Sequence, residues 1–216
     1  NLWWTDLRGA RLAEADLSGA ELGRADLRDV KGAGMRLKMA SLTGTNLTGG
    51  SFPGASLWRA NLLQAIVQDV DLSGADLTEA NFHAVNLSGS NFAGATMIRT
   101  SLTKTNMIGV NLSGADLTGA NLSEAKLHDA DMRGANMHKA DLPTADMTGA
   151  NLRGASFEDA NLTWSTMVNA DLRGVNFSKA NLGSADLSGA DLSGANLTGA
   201  RFCKTKMPTG MDNSDC

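Results

Sequence analysis

The chain has no tyrosine, only three prolines, three histidines and two cysteines in 216 residues, and aromatic side chains make up 5% of it. So few cysteines exclude a disulfide-dense mini-protein, and so few prolines exclude a collagen-like rod. No apolar run approaches the roughly 18 residues that a membrane span needs, so no membrane insertion is expected. Neither sign of charge dominates: 19 Lys and Arg stand against 23 Asp and Glu, for a formal net charge of -4. That balance is too weak to imply nucleic acid or an anionic membrane as a partner through bulk attraction. Asn1 rather than Met opens the sequence, with no signal peptide at the start, as expected if residues upstream have been removed.

What the chain does have is a period. The residues whose numbers end in 2 or 7, from Leu2 to Met207, make 42 positions, of which 27 are Leu, 7 Met, 6 Phe, one Val (Val67) and one Gly (Gly32). The phase never slips. A repeat of five matches neither the helical period of 3.6 nor the strand period of 2, so an amphipathic helix and an alternating strand are both excluded. Two residues before each of these centres stands a small residue, Ala at 27 of the 41 positions from Thr5 to Thr205. One before it, Asp or Asn is commonest, and Gly stands two after it at 19 positions. A chain that returns to one face with a large and a small apolar residue in every five must turn between them. Gly two after the centre suits the second inner position of a type II turn, where φ is positive, and Pro one after the centre suits the first. Pro53-Gly54 and Pro143-Thr144 occupy those two slots. The Asp or Asn slot supplies a short acceptor for backbone amides near the turn.

The tandem Ala-(Asp/Asn)-Leu-X-Gly pattern resembles the pentapeptide-repeat family over residues 1–207. The resemblance implies an all-β fold, a right-handed quadrilateral β-helix of 20 residues per coil with the centre and the small residue pointing inward. About ten coils at roughly 4.8 Å each make a rod about 48 Å long. Residues 1–207 are then expected to form the β-helix and residues 208–216 a capping tail. Each buried Leu contributes roughly 1.5–3 kcal/mol, so the core needs no metal or cofactor. Residues 20 apart should stack, which places Gly32 between Leu12 and Phe52. Two readings are open there: the Phe52 ring and Met35 fill the missing volume, or Val30–Met39 bulges out of the coil. Trp3 and Trp4 are expected to cover the first coil. Cys203 and Cys216, 13 apart at the non-repeating end, read as a disulfide closing a short loop over the last coil; the alternative is two free thiols in a reducing cytosol. The run Phe202-Cys203-Lys204-Thr205-Lys206-Met207-Pro208-Thr209-Gly210 resembles the C-termini of cyanobacterial and chloroplast members of the family. It implies a periplasmic or thylakoid-lumen setting, with the cytoplasm as the alternative.

Chemistry is sparse. His83, His128 and His138 fall on three different faces of such a coil, so they cannot share a metal. No Ser or Thr stands in a recognisable order with a base, and the filled interior predicts no deep pocket. Three surface features remain. Arg133, Arg153 and Arg173 stack on one face, where Asp131 and Asp171 can pair them; the readings are a mixed-charge ladder or a site for an acidic partner. Trp58, Leu63 and Ile66 take outward slots within one coil, on three consecutive faces and not in one flat patch, as a candidate partner or dimer contact. The Asp-rich slot raises duplex mimicry, which some relatives use to bind topoisomerases, but the arginine ladder interrupts the anionic face. The expected function is a non-enzymatic rigid scaffold for an unidentified protein partner, as a monomer or a weak end-to-end or side-by-side dimer. The alternative is a DNA mimic that binds or protects a type II topoisomerase.

Overall fold

A computed structural model describes the whole chain, residues 1–216. Its unit is a turn. From Trp4 to Lys204 every fifth residue has a positive φ, between 53° and 71°. The amide of the small residue that follows donates back to the carbonyl of the centre, as Ala115 N–H does to Leu112 O at 3.0 Å and Ala120 N–H to Leu117 O at 2.9 Å. A turn closed in this way needs the left-handed conformation at its third residue. Glycine adopts it freely, yet 22 of these positions hold another residue. The stacking of coils therefore overrides a local preference worth about 1 kcal/mol per residue.

Four such corners close one coil. Parallel bridges join every fifth residue from Asp6 to Asp186 with the residue 20 further on, as in Asp76 with Thr96 and Thr96 with Asp116. Amides run from coil to coil through the same register: Leu77 N–H donates to Thr96 O at 2.7 Å and Met97 N–H to Asp116 O at 2.6 Å. The result is a right-handed quadrilateral β-helix. Its four flat sides are called here face 1 (the row of repeats above Leu2), face 2 (above Leu7), face 3 (above Leu12) and face 4 (above Leu17). Coil-to-coil bonding leaves one amide per repeat unused, that of the residue after the centre. The Asp or Asn slot takes it: Thr118 N–H donates to Asp116 Oδ1 and Ser123 N–H to Asn121 Oδ1, both at 3.0 Å. This side-chain-to-backbone bond is why the slot favours the two shortest carbonyl-bearing side chains.

Inside, 62 buried residues form one continuous core. Leu77, Met97 and Leu117 stack as neighbours in one column, all with no exposed surface. Hydroxyls in small slots are bonded: Thr45 and Thr100 donate to Leu22 O and Leu77 O, each at 2.8 Å. Ser90 accepts from Val70 N–H at 3.0 Å and donates to Val67 O at 2.7 Å, completing a turn that its hydroxyl has opened. The segment around Gly32 stays in the coil, since the bridges Lys31 with Ser51 and Arg36 with Ser56 run through it. A Cβ on Gly32 would lie 2.6 Å from the Phe52 ring and 3.1 Å from Met35 Sδ, and one on Gly50 would lie 2.5 Å from the same ring. Two glycines thus make room for one phenyl group, and Met35 fills the remainder.

The N-terminal tryptophans do not cover the first coil, contrary to expectation. Trp3 lies against Gly23, where a Cβ would sit 2.9 Å from its ring, and Trp4 lies under the Arg24 guanidinium at 4.9 Å. Trp3 packs sideways on face 1 because the glycine leaves a seat there, Trp4 stays exposed at the corner beside Arg24, and Leu2, Leu7, Leu12 and Leu17 stay half-buried. At the other end, β1 (Thr205–Met207) pairs antiparallel with β2 (Gly210–Asp212). Lys206 of β1 still bridges Asp186 in the coil below. Cys203 and Cys216 are joined as a disulfide, their Cα atoms 4.8 Å apart. The tail stands in for a further coil. Asp215 Oδ2 accepts Phe202 N–H at 2.6 Å and Asn213 Oδ1 accepts Lys204 N–H at 3.1 Å. One coil lower, the equivalent amides of Leu182 and Ser184 use the carbonyls of Arg201 and Cys203.

Candidate interaction surface

Each repeat turns three side chains outward: the residue before the centre and the two after it. Five arginines occupy the slot directly after a centre. Four follow an Asp two residues earlier, in Asp6-Leu-Arg8, Asp26-Leu-Arg28, Asp131-Met-Arg133 and Asp171-Leu-Arg173, and the fifth follows an Asn, in Asn151-Leu-Arg153. The spacing places carboxylate and guanidinium side by side. Arg133 donates from Nε to Asp131 Oδ1 at 2.8 Å and from Nη2 to Asp131 Oδ2 at 2.6 Å. Arg173 makes the same fork with Asp171, at 2.8 and 2.5 Å. The hydrogen bond from Arg173 holds the Asp171 carboxyl down at about 2, and that from Arg133 lowers Asp131 likewise. Arg153 has no carboxylate partner. Its one bond to Asn151 is from its own backbone amide to Oδ1 at 3.3 Å. The arginine ladder on face 3 is thus two neutralised rungs with an unpaired guanidinium between them.

The other sequence-derived set does not come together. Trp58, Leu63 and Ile66 lie on faces 4, 1 and 2 in turn. Trp58 is half-buried with the Arg59 guanidinium 4.4 Å over its ring, Leu63 is half-buried, and Ile66 is exposed alone. A run within one coil cannot make a patch, because each repeat faces a different way. The larger exposed side chains are elsewhere: Trp164 is 67% and Met39 62% exposed, and Ile108 is also on the surface. The sequence marks all three as bulky apolar residues in outward slots. An open concavity of about 700 Å³ lies at the corner of faces 1 and 2, lined by Ile108, Glu124, Lys126, His128, Thr144 and Asp146. There His128 Nε2 lies 2.8 Å from Asp146 Oδ2. No group of three or more His, Cys, Asp or Glu side chains is placed to hold a metal ion, and no helix is long and apolar enough to cross a membrane.

One feature is written in the sequence but visible only once the faces are known. All corners have the same positive φ, yet their glycines are unevenly spread. At the corner after face 3, every residue from Gly34 to Gly194 is Gly, nine of ten coils, against one of eleven after face 1. Backbone geometry alone would treat the corners alike. A Cβ at Gly54, Gly74, Gly94, Gly114, Gly134, Gly154 or Gly174 would meet nothing within 4 Å, so crowding does not require glycine there either. Face 3 is therefore bordered by a bare backbone edge along most of the rod.

The repeat is one found in known proteins. A family model for pentapeptide repeats matches residues 1–31, 40–78, 80–119, 111–149, 155–194 and 170–207, as eight copies. Among solved structures, one relative is HetL, a pentapeptide repeat protein involved in heterocyst differentiation regulation from the cyanobacterium Nostoc. It is 32% identical, with 97% of this chain and 92% of HetL covered and a TM-score of 0.45. A trypsin-treated variant of QnrB1, a plasmid-mediated fluoroquinolone resistance protein, is 19% identical over 90% of each chain, with a TM-score of 0.59, and so shares the fold. A pentapeptide repeat protein of the Arabidopsis thaliana thylakoid lumen is 34% identical over 50% of this chain and 69% of its own, with a TM-score of 0.21. No curated protein matches the chain significantly. With the repeat matched across most of its length and folded as stacked four-sided coils, this chain belongs to the pentapeptide-repeat family.

Proposed function

We propose that the protein is a non-enzymatic rigid scaffold whose flat faces receive a protein partner. The observation that carries this reading is the continuous core: side chains fill the interior from end to end, so binding chemistry is confined to the outside of a rod. The forked Arg–Asp pairs and the Asp and Asn caps hold most outward polar groups in local bonds, which suits a preorganised surface and not a reacting centre. Residues 1–207 form the scaffold in this reading and residues 208–216 its cap. The disulfide supports an oxidising compartment, a thylakoid lumen or a periplasm, over the cytoplasm. A duplex mimic would need an unbroken anionic surface. The arginines of face 3 and the cations Arg59, Arg99 and Lys139 of face 4 oppose that.

Photo-crosslinking amino acids at Ser123, Ser88, Ser113 and Thr118, one per face, test the proposal in cells of the source. The expected result is one discrete protein adduct restricted to one face or to two neighbouring faces. Adducts from none of the four would sink the scaffold reading. Inhibition or drug protection in a gyrase supercoiling assay at micromolar protein would replace it with the topoisomerase reading.

A further inference from the structure

We infer that face 3 is the docking face, and that its occupant is an elongated protein segment carrying carboxylates near both ends, one of which pairs with Arg153. This deepens the scaffold reading and rests on it. Charge complementarity is the argument. Arg133 and Arg173 already hold their forks closed on Asp131 and Asp171. Of the three rungs, only Arg153 presents an exposed guanidinium without a carboxylate, ready to donate the same fork to one from outside. At the other end of the face, Arg11 and Lys31 stack in the slot that from Asp71 to Asp191 holds only Asp or Asn. Both are exposed and neither has a salt-bridge partner. Six coils at roughly 4.8 Å separate Lys31 from Asn151-Leu-Arg153, about 29 Å, the length of a helix of about 20 residues.

Between these two basic ends the surface is low until the closed Asp131–Arg133 fork, one coil before Arg153. From Ser51 to Ser113 no outward side chain of face 3 is longer than Asp or Asn, and the border is the glycine edge from Gly54 to Gly114. The one carboxylate in this stretch, Asp71, accepts from Asn91 Nδ2 and from the Ser73 amide, both at 3.1 Å. A partner backbone can lie close along such a shelf, and the free cations at its ends set its register. The bare edge is what makes close approach compatible with reaching Arg153. At the corner after face 1 the equivalent positions carry Lys104, Glu124, Thr144 and Trp164, which would hold a straight segment away.

Two substitutions test this without dismantling the fold. Asn151→Asp recreates the Asp-X-Arg fork found four times elsewhere and closes Arg153 internally. Gly114→Trp raises an obstacle on the shelf at a turn position that Trp4 and Trp164 already occupy at φ 60° and 61°. Gly119→Trp places the same ring at the next corner, between faces 4 and 1 and away from face 3, where a Cβ meets only Arg99 Cγ, in ordinary contact at 3.6 Å. The probe is a fluorescein-labelled, alanine-rich helical peptide of about 20 residues with paired Glu at each end, followed by anisotropy at low salt. The wild-type protein is expected to bind it, Asn151→Asp to weaken binding about tenfold or more, as for a lost charge-assisted fork, and Gly114→Trp to weaken it while Gly119→Trp does not. Failure of the wild type to bind, unchanged binding by Asn151→Asp, or equal effects of the two tryptophans would overturn the inference. In the crosslinking experiment above, adducts from another face with none from Ser113 would overturn it while leaving the scaffold standing.

Discussion

At Gly32 the repeat loses a side chain and the neighbouring coil returns the volume. The Phe52 ring occupies the place where a leucine at position 32 would stand, with Gly50 clearing the other side of the ring. Gly32→Leu should therefore destabilise the rod by about 1–3 kcal/mol through overpacking, although it restores the consensus. Phe52→Leu alone leaves a void and should also cost stability. The two together rebuild an ordinary column, so the double variant is expected to recover part of the loss, with a coupling of about 0.5–3 kcal/mol. Chemical denaturation of the four proteins measures it, and strictly additive losses would contradict the packing described. The volume match was legible in the sequence because Gly32 and Phe52 are 20 apart. The seat of Trp3 on Gly23 was not: Gly23 falls in an outward slot, where composition alone does not say which ring arrives.

At the scale of the element, coil and cap obey one hydrogen-bond rule. Every coil supplies carbonyls to the coil before it, and after Phe202 the carboxylate of Asp215 and the side-chain carbonyl of Asn213 supply the acceptors instead. The disulfide keeps those two side chains over the amides that they cap. Closing a loop of this length contributes about 3 kcal/mol in the chain-entropy account, and in a solenoid that contribution is felt mainly by the adjoining coil. Reduction should raise the intact mass by two hydrogens and speed hydrogen exchange at the amides of Phe202 and Lys204, with Leu117 unaffected. Asp215→Ala should speed exchange at Phe202 even with the disulfide intact. Equal protection in all three forms would show that the cap does not hold the end. The cysteine pair was readable from its spacing. The roles of Asp215 and Asn213 were not, since nothing in nine non-repeating residues marks which oxygen replaces a carbonyl.

At the scale of the whole molecule, the exterior is a set of ladders, and the fold was far more legible than the surface. The centres announce the interior because each is repeated some forty times. A surface feature becomes visible only when residues 20 apart are lined up; three arginines in register stand out at once, whereas the glycine edge is masked by the 19 glycines that suit the turn at every corner. The same ladders set the response to acid. Asp6, Asp16 and Asp171 are held down at about 2, Asp6 and Asp171 chiefly by hydrogen bonds from Arg8 and Arg173, and Asp16 by that from Ser18. Asp26, Asp131 and Asp191 are lowered too, by bonds from Arg28, Arg133 and Ser193. A carboxyl whose folded value lies below its unfolded value of about 3.9 stabilises fully above that value and loses its contribution as pH falls through the folded value. These groups are largely exposed, so solvent screening keeps each contribution small. Their number and common sign nonetheless fix the direction. The thermal midpoint should be insensitive to these aspartates between pH 7 and 5, and should fall between about pH 4 and 2. Asp171→Asn should lower the midpoint at pH 7 and show less of the acid loss. A midpoint that holds steady down to pH 2, or an Asp171→Asn variant with an unchanged acid profile, would mean that the forks along the rod contribute nothing to holding its coils together.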